Sequence, residues 1–209
     1  MADELSRYKL PVSDVDFQDE RHVYIHHGYR IPSVTQVMEP MSLMLYAKVP
    51  DDVLYDAACR GTRVHEQISN YIKYGVAEED EETKPYLQAY QAFVRDYQPV
   101  WIASEYRINH RTMGYAGTVD LVGLVVPDDG TGVDVVDIKT TAQYHSVMLS
   151  TQVGAYAEAI ASHGVTIRKR YGLQLMRDGK YRFEGLEDGF KLFLHCLAIW
   201  SAMSTEKHA

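Results

Sequence analysis

The chain has 209 residues, of which 46% are hydrophobic, and a formal net charge of −8 at pH 7. This length is enough for one hydrophobic core, and no segment has the composition of an interdomain linker, so we expect a single domain over residues 1–209. The negative charge argues against a protein that coats nucleic acid by bulk electrostatics, because phosphate contacts require lysine and arginine.

Hydrophobic periodicity and turn signals predict both helices and strands. In the first half of the chain they predict a hairpin around Gly28 (residues 22–31), a short helix (33–38), a long helix (50–75) and a further helix (85–97). In the second half they predict strands at 102–108, 117–126 and 133–140, a helix at 150–162, a strand pair at 169–176 and 181–184, and a helix at 187–203. This order predicts an α/β fold with a mixed central β-sheet flanked by helices, preceded by a hairpin and helix element at about residues 20–48.

The cysteine content and the opening of the chain bear on its compartment. Cys59 and Cys196 are the only cysteines, which is too few for a disulfide scaffold. The polar opening lacks the apolar region of a signal peptide and is too acidic for a mitochondrial transit peptide. No apolar run approaches the ~20 residues of a membrane span. We therefore expect a cytoplasmic protein with no membrane partner.

Two carboxylates and one ammonium group lie in the central strands. Asp137 and Lys139 are two residues apart in a β-branched run, so both side chains are expected on one face. Asp120 lies in the preceding strand, and the turn composition of residues 127–132 predicts an antiparallel hairpin that brings Asp120 toward Asp137. Carboxylates hold Mg²⁺ or Mn²⁺, and a nearby lysine orients water or offsets developing charge, as phosphodiester hydrolysis requires. The alternative is an ordinary ion pair of Asp137 with Lys139 at a sheet edge.

The long helix supplies a third ligand candidate, His65. Apolar and small residues recur around it at helical spacing, at Leu54, Ala57, Ala58, Gly61, Val64, Ile68 and Ile72. His65 is therefore expected on or beside the buried stripe, facing the sheet. The alternative is a core histidine satisfied by one hydrogen bond.

These residues form short motifs that resemble the PD-(D/E)XK nuclease superfamily, in its RecB-like branch. In the family's order, the motifs are Gly61 to His65 (G-x-x-x-H), Gly117 to Asp120 (G-x-x-D), Asp137 to Lys139 (D-x-K) and Gln152 to Tyr156 (Q-x-x-x-Y). The segment from His22 to Thr35 is similar to the H-x-Y…G…P-S-V-T opening of phage and mitochondrial genome maintenance exonucleases. The resemblance implies a restriction-endonuclease-like core that hydrolyses DNA phosphodiesters.

The resemblance also implies roles for individual residues. It assigns one or two Mg²⁺ or Mn²⁺ ions to His65, Asp120, Asp137 and the Ile138 carbonyl, and it assigns the attacking water to Lys139. The residues expected to support the site or contact DNA are Glu105, Gln152, Tyr156, Ser33 and Thr35. Members of this branch with an iron–sulfur cluster carry four cysteines, so the two cysteines here lead us to expect no such cluster.

Two of these assignments have ordinary structural alternatives. Gln152 and Tyr156 lie one helical turn apart and could simply cap and pack. Glu105 could be a solvent-facing strand carboxylate.

Further DNA contacts are expected beside the motifs. Arg60 or Arg63 is expected to reach a phosphate, with a salt bridge to the acidic loop at residues 78–82 as the alternative. Tyr115 is expected to stack on a base, with an ordinary turn tyrosine as the alternative. A basic segment near the C-terminus is expected to line the DNA path, or else to protect a strand edge: Arg168, Lys169, Arg170, Arg177, Lys180 and Arg182. If this basic segment does not line the DNA path, the path is expected along Arg60, Arg63, Arg107 and Arg111.

The resemblance favours an exonuclease that acts on DNA ends and engages single-stranded DNA. The expected setting is recombination, repair or replication in a bacterium or a phage-infected host, with a partner protein of those processes. A structure-specific endonuclease with the same chemistry and a catalytically inactive DNA-binding accessory protein are the alternatives. The intact Asp120, Asp137 and Lys139 argue against the inactive protein.

Overall fold

The structure is a computed structural model that describes residues 8–18, 23–77, 80–126 and 131–206. The strands are β1 (Val15–Gln18), β2 (Val23–His26), β3 (Tyr29–Ile31), β4 (Val100–Asn109), β5 (Ala116–Leu124), β6 (Val133–Lys139), β7 (Ile167–Leu175) and β8 (Tyr181–Gly185). The helices are α1 (Val34–Val37), α2 (Glu39–Tyr46), α3 (Asp51–Tyr74), α4 (Lys84–Tyr97), α5 (Ser146–Ala161) and α6 (Phe190–Glu206). The helices and strands expected from the sequence are present, and β1 and α2 are additional. His22, part of the acidic loop and part of the turn at residues 127–132 lie outside the described residues.

The central sheet has five strands in the order β4-β5-β6-β7-β8. β6 and β7 run parallel, whereas the other neighbouring pairs are antiparallel, so the sheet is mixed. A parallel pair needs a crossover connection, and α5 provides it. The expected mixed sheet flanked by helices is therefore confirmed.

Helices cover both faces of this sheet. On one face α5 packs on β5 and β6, and α6 packs against α5, in a buried cluster that includes Val119, Val135, Val153 and Phe193. On the other face α3 and α4 pack through a buried cluster that includes Ile68, Phe93, Val136 and Leu173. β6 thus contributes to both clusters, as expected for a central strand whose side chains alternate between faces. In the described part of the chain, no helix combines the length and the apolar character needed to cross a membrane.

The antiparallel sheet β1-β2-β3 is joined to the central sheet through residues near Ser33. Ser33 forms an isolated parallel bridge with Ala116, and the Ala116 amide donates to the Pro32 carbonyl at 2.9 Å. Ser33 also caps α1 in a capping box with Gln36: Ser33 Oγ accepts from the Gln36 amide, and Gln36 Oε1 accepts from the Ser33 amide, both at 3.0 Å. Ser33 therefore holds the backbone at the entry to β5.

α3 follows the start and stop signals in the sequence, beginning after Pro50 and ending at Gly75, which has a φ of 72°. The predicted buried stripe is right for its second half, where Val64 and Ile68 are buried. In the first half the stripe is only partly buried: Leu54, Ala57 and Gly61 are half-buried, and Ala58 is exposed. The core contact of α3 therefore begins near Val64, next to His65, where the helix packs against α4 and β4.

Candidate active site

His65 is the residue that joins α3 to the central strands. Its Nδ1 atom lies 3.3 Å from Asp120 Oδ1 and 3.7 Å from Glu105 Oε1. Its Nε2 atom lies 3.2 Å from the Ile138 carbonyl oxygen. Both ring nitrogens thus face acceptors, which is more than the single hydrogen bond of an ordinary core histidine.

Asp120 is held in place by the neighbouring strand. Its Oδ2 atom accepts a hydrogen bond from the Ile138 amide at 2.6 Å. Its other oxygen, Oδ1, faces His65. The backbone of Ile138 therefore contacts both residues, donating to Asp120 through its amide and accepting from His65 through its carbonyl.

Glu105 lies beside His65 and Asp120, and its backbone conformation is unusual. Its φ is 50°, in the left-handed region that costs a non-glycine residue on the order of 1 kcal/mol. It lies between Ser104 and Tyr106, which pair with Leu121 and Val119, so it lies across from Asp120. The ligand atoms of His65, Glu105 and Asp120 lie within 4.8 Å of one another. Glu105 is therefore part of the cluster and not merely a solvent-facing strand carboxylate.

Asp137 and Lys139 share one side of β6, as the strand period predicts. Lys139 Nζ lies 2.6 Å from Asp137 Oδ2 and donates to Gln152 Oε1 at 3.1 Å. Gln152 Nε2 in turn donates to the Tyr156 hydroxyl at 3.2 Å. Asp137 is 1% exposed, and its Oδ1 atom is buried with no hydrogen-bond partner among the described residues. The ion pair alone therefore does not satisfy this carboxylate.

The charges of the site are strongly coupled. Burial by itself lowers the pKa of His65. The Asp120 and Glu105 carboxylates outweigh this effect and raise the pKa above its ordinary value, to about 10. Burial raises the pKa of Asp120, yet the His65 charge holds it below its ordinary value. Burial and the Asp120 charge raise the pKa of Asp137 to about 6, although Lys139 opposes this shift. Burial lowers the pKa of Lys139, and the Asp137 and Asp120 charges raise it above its ordinary value. Two cationic side chains thus compensate the carboxylates of the site.

A glycine links the strand motif to the helix motif. A methyl group at Gly117 would lie 2.5 Å from Tyr156 Cε1, closer than side-chain atoms can approach. Gly117 therefore makes room for the Tyr156 ring, which is 4% exposed and reaches Lys139 through Gln152. Gln152 and Tyr156 thus form a chain of hydrogen bonds that ends at the Lys139 ammonium. A methyl group at Gly61 would meet only Thr140 Oγ1, at 3.5 Å, which is an ordinary contact.

Two clefts flank the cluster. The lysine cleft, of about 290 Å³, is lined by Lys139 and Gln152 and also by Thr35, Tyr46 and His145. His145 Nε2 is buried and has no hydrogen-bond partner among the described residues. The histidine cleft, of about 650 Å³, is lined by His65 and Glu105 and also by Lys73, Arg107 and Thr118. The candidate site therefore lies between two openings of different character.

Several lining residues of these clefts were not identified from the sequence. Tyr46 lies on α2, a helix for which no boundary signal was recognised. Lys73 and His145 are single polar residues without a motif, and only the tertiary fold brings them to the clefts. Thr35 was expected near the site and lines the lysine cleft.

The structure corrects the expected DNA contact at Tyr115. This side chain is 0% exposed, and its hydroxyl donates to the Ala155 carbonyl at 3.0 Å. It packs against Phe193 of α6. Tyr115 therefore stabilises the junction of β5, α5 and α6 and is not available to stack on a base.

Arg60 and Arg63 form salt bridges to the acidic loop, which was the alternative to the expected phosphate contact. Arg63 Nη1 lies 3.0 Å from Asp80 Oδ2, and Arg63 also pairs with Glu82. Arg60 Nη1 lies 3.8 Å from Glu82 Oε1. These ion pairs engage both guanidinium groups, so a phosphate would have to compete with the loop carboxylates.

The basic segment near the C-terminus is largely paired with acidic side chains. Arg168 donates from Nε to Asp134 Oδ1 at 2.8 Å, deep in the protein. The surface pairs are Arg170 with Asp188 at 3.3 Å, Lys180 with Asp178 at 2.9 Å and Arg182 with Glu184 at 2.7 Å. This pairing favours the interpretation in which the hairpin charges protect a strand edge.

Comparisons with known proteins give distant structural neighbours. No protein-family model and no curated protein matches the chain. The chain is similar to the crystal structure of an alkaline exonuclease (LHK-Exo) from Laribacter hongkongensis, with 12% identity and a TM-score of 0.42 over 70% of this chain and 80% of that one. It is also similar to LHK-Exo in complex with dAMP (14% identity, TM-score 0.44, 85% and 89% covered) and to SSO0001 (11% identity, TM-score 0.34, 56% of each covered). At these values the similarities carry no argument, so function must be inferred from the site.

Proposed function

We propose that this chain is a metal-dependent DNA exonuclease with Asp120, Asp137 and Lys139 as its catalytic residues. The observation that carries the proposal is the buried Asp137 carboxylate, whose Oδ1 atom has no hydrogen-bond partner among the described residues. Leaving a buried anion incompletely satisfied is costly, and a divalent cation beside Asp120 and Asp137 removes that cost.

The donor set fits Mg²⁺ or Mn²⁺. These hard cations prefer oxygen ligands, and the cluster around His65 offers the carboxylates of Asp120 and Glu105 together with the Ile138 carbonyl. Asp137 lies outside this group of three, but it is near enough for the Asp120 charge to raise its pKa. His65 is the remaining ligand, provided that its ring gives up the proton that the neighbouring carboxylates favour. When bound, the cation polarises a phosphoryl oxygen and lowers the pKa of a water molecule.

Side chains of the site orient the water, offset charge on the phosphate and hold one another in position. The Lys139 ammonium, held by Asp137 and Gln152, orients the attacking water and offsets the charge that develops on the phosphate. Tyr156 and Gln152 keep the lysine extended toward the site. The Ile138 amide fixes Asp120, so a reacting phosphate meets preoriented groups.

The clefts favour an exonuclease over an endonuclease. The lysine cleft, of about 290 Å³, is at the lower end of ligand-pocket sizes, which suits one terminal nucleotide. Tyr46 offers a ring to a base there, and His145 offers Nε2, which has no hydrogen-bond partner among the described residues. The histidine cleft offers Lys73 and Arg107 to the phosphates of the remaining strand. We infer single-stranded DNA ends as the substrate.

The biological setting is proposed from the sequence resemblance alone. It favours DNA recombination, repair or replication in the cytoplasm of a bacterium or a phage-infected host, together with a partner protein of those processes. We also propose that residues 1–209 act as one domain, because the bridge between Ser33 and Ala116 joins the N-terminal sheet to β5.

A cleavage assay tests the proposal. Purified protein is incubated with linear single-stranded DNA, linear duplex DNA, circular single-stranded DNA and RNA, each with Mg²⁺, Mn²⁺ or EDTA. We expect mononucleotide release from linear single strands with either metal, and no cleavage of circles or in EDTA. Cleavage of circles would support the endonuclease, and no cleavage of any substrate would support the inactive accessory protein.

Two variants distinguish cleavage by this protein from cleavage by a contaminating nuclease. Asp120→Asn should abolish cleavage, whereas Asp16→Asn, at an exposed strand position, should leave it unchanged. Equal activity of the Asp120→Asn protein and the wild type would overturn the assignment of the site.

A further inference from the structure

A second group of metal-ligand side chains lies on the N-terminal sheet. His26 Nε2 is 3.0 Å from Asp14 Oδ2, and His27 Nε2 is 3.8 Å from the same oxygen. The three ligand atoms lie within 4.8 Å of one another. This group contains two imidazoles and one carboxylate, whereas the cluster around Asp120 consists mainly of oxygen donors.

His27 lies in the tight turn between β2 and β3. His26 pairs with Tyr29, so β2 and β3 are joined by a two-residue loop of His27 and Gly28. Both loop residues have positive φ, 50° and 81°, as in a type I′ turn. The first position of such a turn favours asparagine, aspartate or glycine, and histidine is among the residues that adopt a positive φ more often than most. The turn therefore places the His27 imidazole directly after His26, at the end of the hairpin.

The placement of the two rings brings both toward Asp14. Val15 pairs with His26 in the register of β1 and β2, so Asp14 lies beside the turn. The ring centroids of His26 and His27 are 4.0 Å apart. Side-chain exposures of 21% for His26, 74% for His27 and 50% for Asp14 leave the group open to an ion from solvent.

We propose that Asp14, His26 and His27 form a second metal site, selective for a transition-metal cation such as Zn²⁺. Imidazole nitrogens suit Zn²⁺ and its neighbours, whereas Mg²⁺ prefers oxygen. Three protein ligands with one open position form a common zinc arrangement, with bonds of about 2.0 to 2.2 Å. Ligand atoms around one such ion lie roughly 3 to 4 Å apart, and the two measured distances to Asp14 fall in this range.

A bound ion at this place would tie the segment before β1 to the β2–β3 turn. It would cross-link two parts of the N-terminal sheet that are otherwise held by strand pairing and the His26–Asp14 contact. This inference is independent of the proposed nuclease activity, because it uses none of the residues around Asp120.

Zinc binding tests the inference in a protein in which the first cluster is weakened and the exposed thiol is removed. The full chain is prepared without a histidine tag and with Asp120→Asn, which weakens the first cluster, and Cys59→Ser, which removes an exposed thiol. Titration calorimetry with ZnCl₂ in excess Mg²⁺ should give one zinc per chain. Cobalt substitution should give the absorption spectrum of a nitrogen- and oxygen-ligated ion.

His27→Asn is the decisive variant, because it leaves an Asn-Gly turn that the backbone favours. It should weaken zinc binding at least about 100-fold, since even groups outside the ligand shell commonly account for 10- to 100-fold. The thermal stability of the zinc-free protein should be equal or higher. His195→Asn, at an exposed position on α6, is the matched control and should bind zinc like the parent.

Two results would overturn the site. One is the absence of zinc binding in the parent protein, which would leave His26 and Asp14 as an ordinary surface hydrogen bond. The other is unchanged zinc affinity in the His27→Asn protein, which would mean that the ion binds elsewhere.

Discussion

Two buried aspartates on β6 differ in how their charge is satisfied. Asp134 is 0% exposed, accepts from the Val125 amide at 2.8 Å and pairs with Arg168. Asp137 is 1% exposed, and its charged contact is the flexible Lys139 ammonium. Asp134 is therefore a structural ion pair, whereas Asp137 Oδ1 has no hydrogen-bond partner among the described residues.

In the Asp137→Asn variant, thermal stability should no longer depend on metal binding. Without metal, the variant should melt at the same or a higher temperature, because an amide of the same shape replaces an incompletely satisfied buried charge. The Lys139 side chain is 31% exposed, so its ammonium can turn to water when it loses this partner. The melting temperature of the variant should no longer rise with Mn²⁺, whereas the wild type should be stabilised by about 2.7 kcal/mol at 100 times the dissociation constant. Thermal unfolding with EDTA and with MnCl₂ measures both effects.

Asp134→Asn is the control on the same strand. It should lose roughly 3 kcal/mol of stability with or without metal, because Arg168 loses a buried charged partner. A full Mn²⁺ response in the Asp137→Asn protein would remove Asp137 from the site.

Lys139→Ala should separate catalysis from metal binding. The ammonium acts on water and on developing charge, so cleavage should fall about 100-fold or more while the melting-temperature response to Mn²⁺ persists. Single-turnover cleavage and thermal unfolding of the same preparation provide the two readouts. Lys169→Ala, at an exposed position of β7, should cut like the wild type. If Lys139→Ala cuts within a few-fold of the wild type, the lysine is only the ion-pair partner of Asp137.

At the scale of elements, the site depends on how closely β5 and α5 approach. Gly117 begins the part of β5 that carries Asp120, and the Tyr156 ring of α5 lies directly over it. From Tyr156 the contacts run through Gln152 to Lys139 on β6. The spacing between this strand and helix therefore sets the position of the Lys139 ammonium.

Gly117→Ala should push Tyr156 out of place. The new methyl group would lie 2.5 Å from Tyr156 Cε1, so overpacking should cost about 1 to 3 kcal/mol. The turnover rate should fall together with stability, because the contact from Gln152 to Lys139 moves with the ring. Denaturant unfolding and cleavage kinetics measure the two losses.

Gly61→Ala provides the matched glycine control on α3. Its methyl group would lie 3.5 Å from Thr140 Oγ1, and alanine is favoured over glycine in a helix by about 0.5 to 1 kcal/mol. This variant should be at least as stable as the wild type. Equal destabilisation of the two variants would contradict the packing explanation.

At the scale of the whole molecule, the net charge of −8 makes the placement of cations important. Many arginines and lysines are paired with carboxylates, including Arg63 with Asp80 and Arg170 with Asp188. Lys73 and Arg107 line the histidine cleft next to the candidate site. DNA backbone contacts are therefore expected at that cleft and not along the β7–β8 hairpin.

The salt dependence of DNA binding distinguishes these two paths. Lys73→Gln with Arg107→Gln should flatten the slope of log affinity against log salt by roughly 0.7 for each lost contact on a single strand. Arg170→Gln with Arg182→Gln is the matched double variant and should leave the slope unchanged, because each arginine already has an acidic partner. Binding is measured in EDTA to prevent cleavage. The opposite pattern would return the DNA path to the hairpin.

The sequence by itself determined the order of elements and the core of the candidate site. Strand alternation predicted that Asp137 and Lys139 share a face, and helical spacing predicted that His65 faces the sheet; the structure brings these residues together with Asp120. These inferences succeed because periodicity is a local property, and burial of an apolar face fixes which side of an element points inward.

The tertiary structure alone decided contacts between residues that are distant in the chain. The positive φ of Glu105, the burial of Tyr115 and the pairing of Arg168 with Asp134 have no local signal. The same basic or aromatic residue is consistent with a DNA contact or a structural contact until its neighbours in space are known. Partner choice depends on packing across elements, and a one-dimensional pattern carries no information about it.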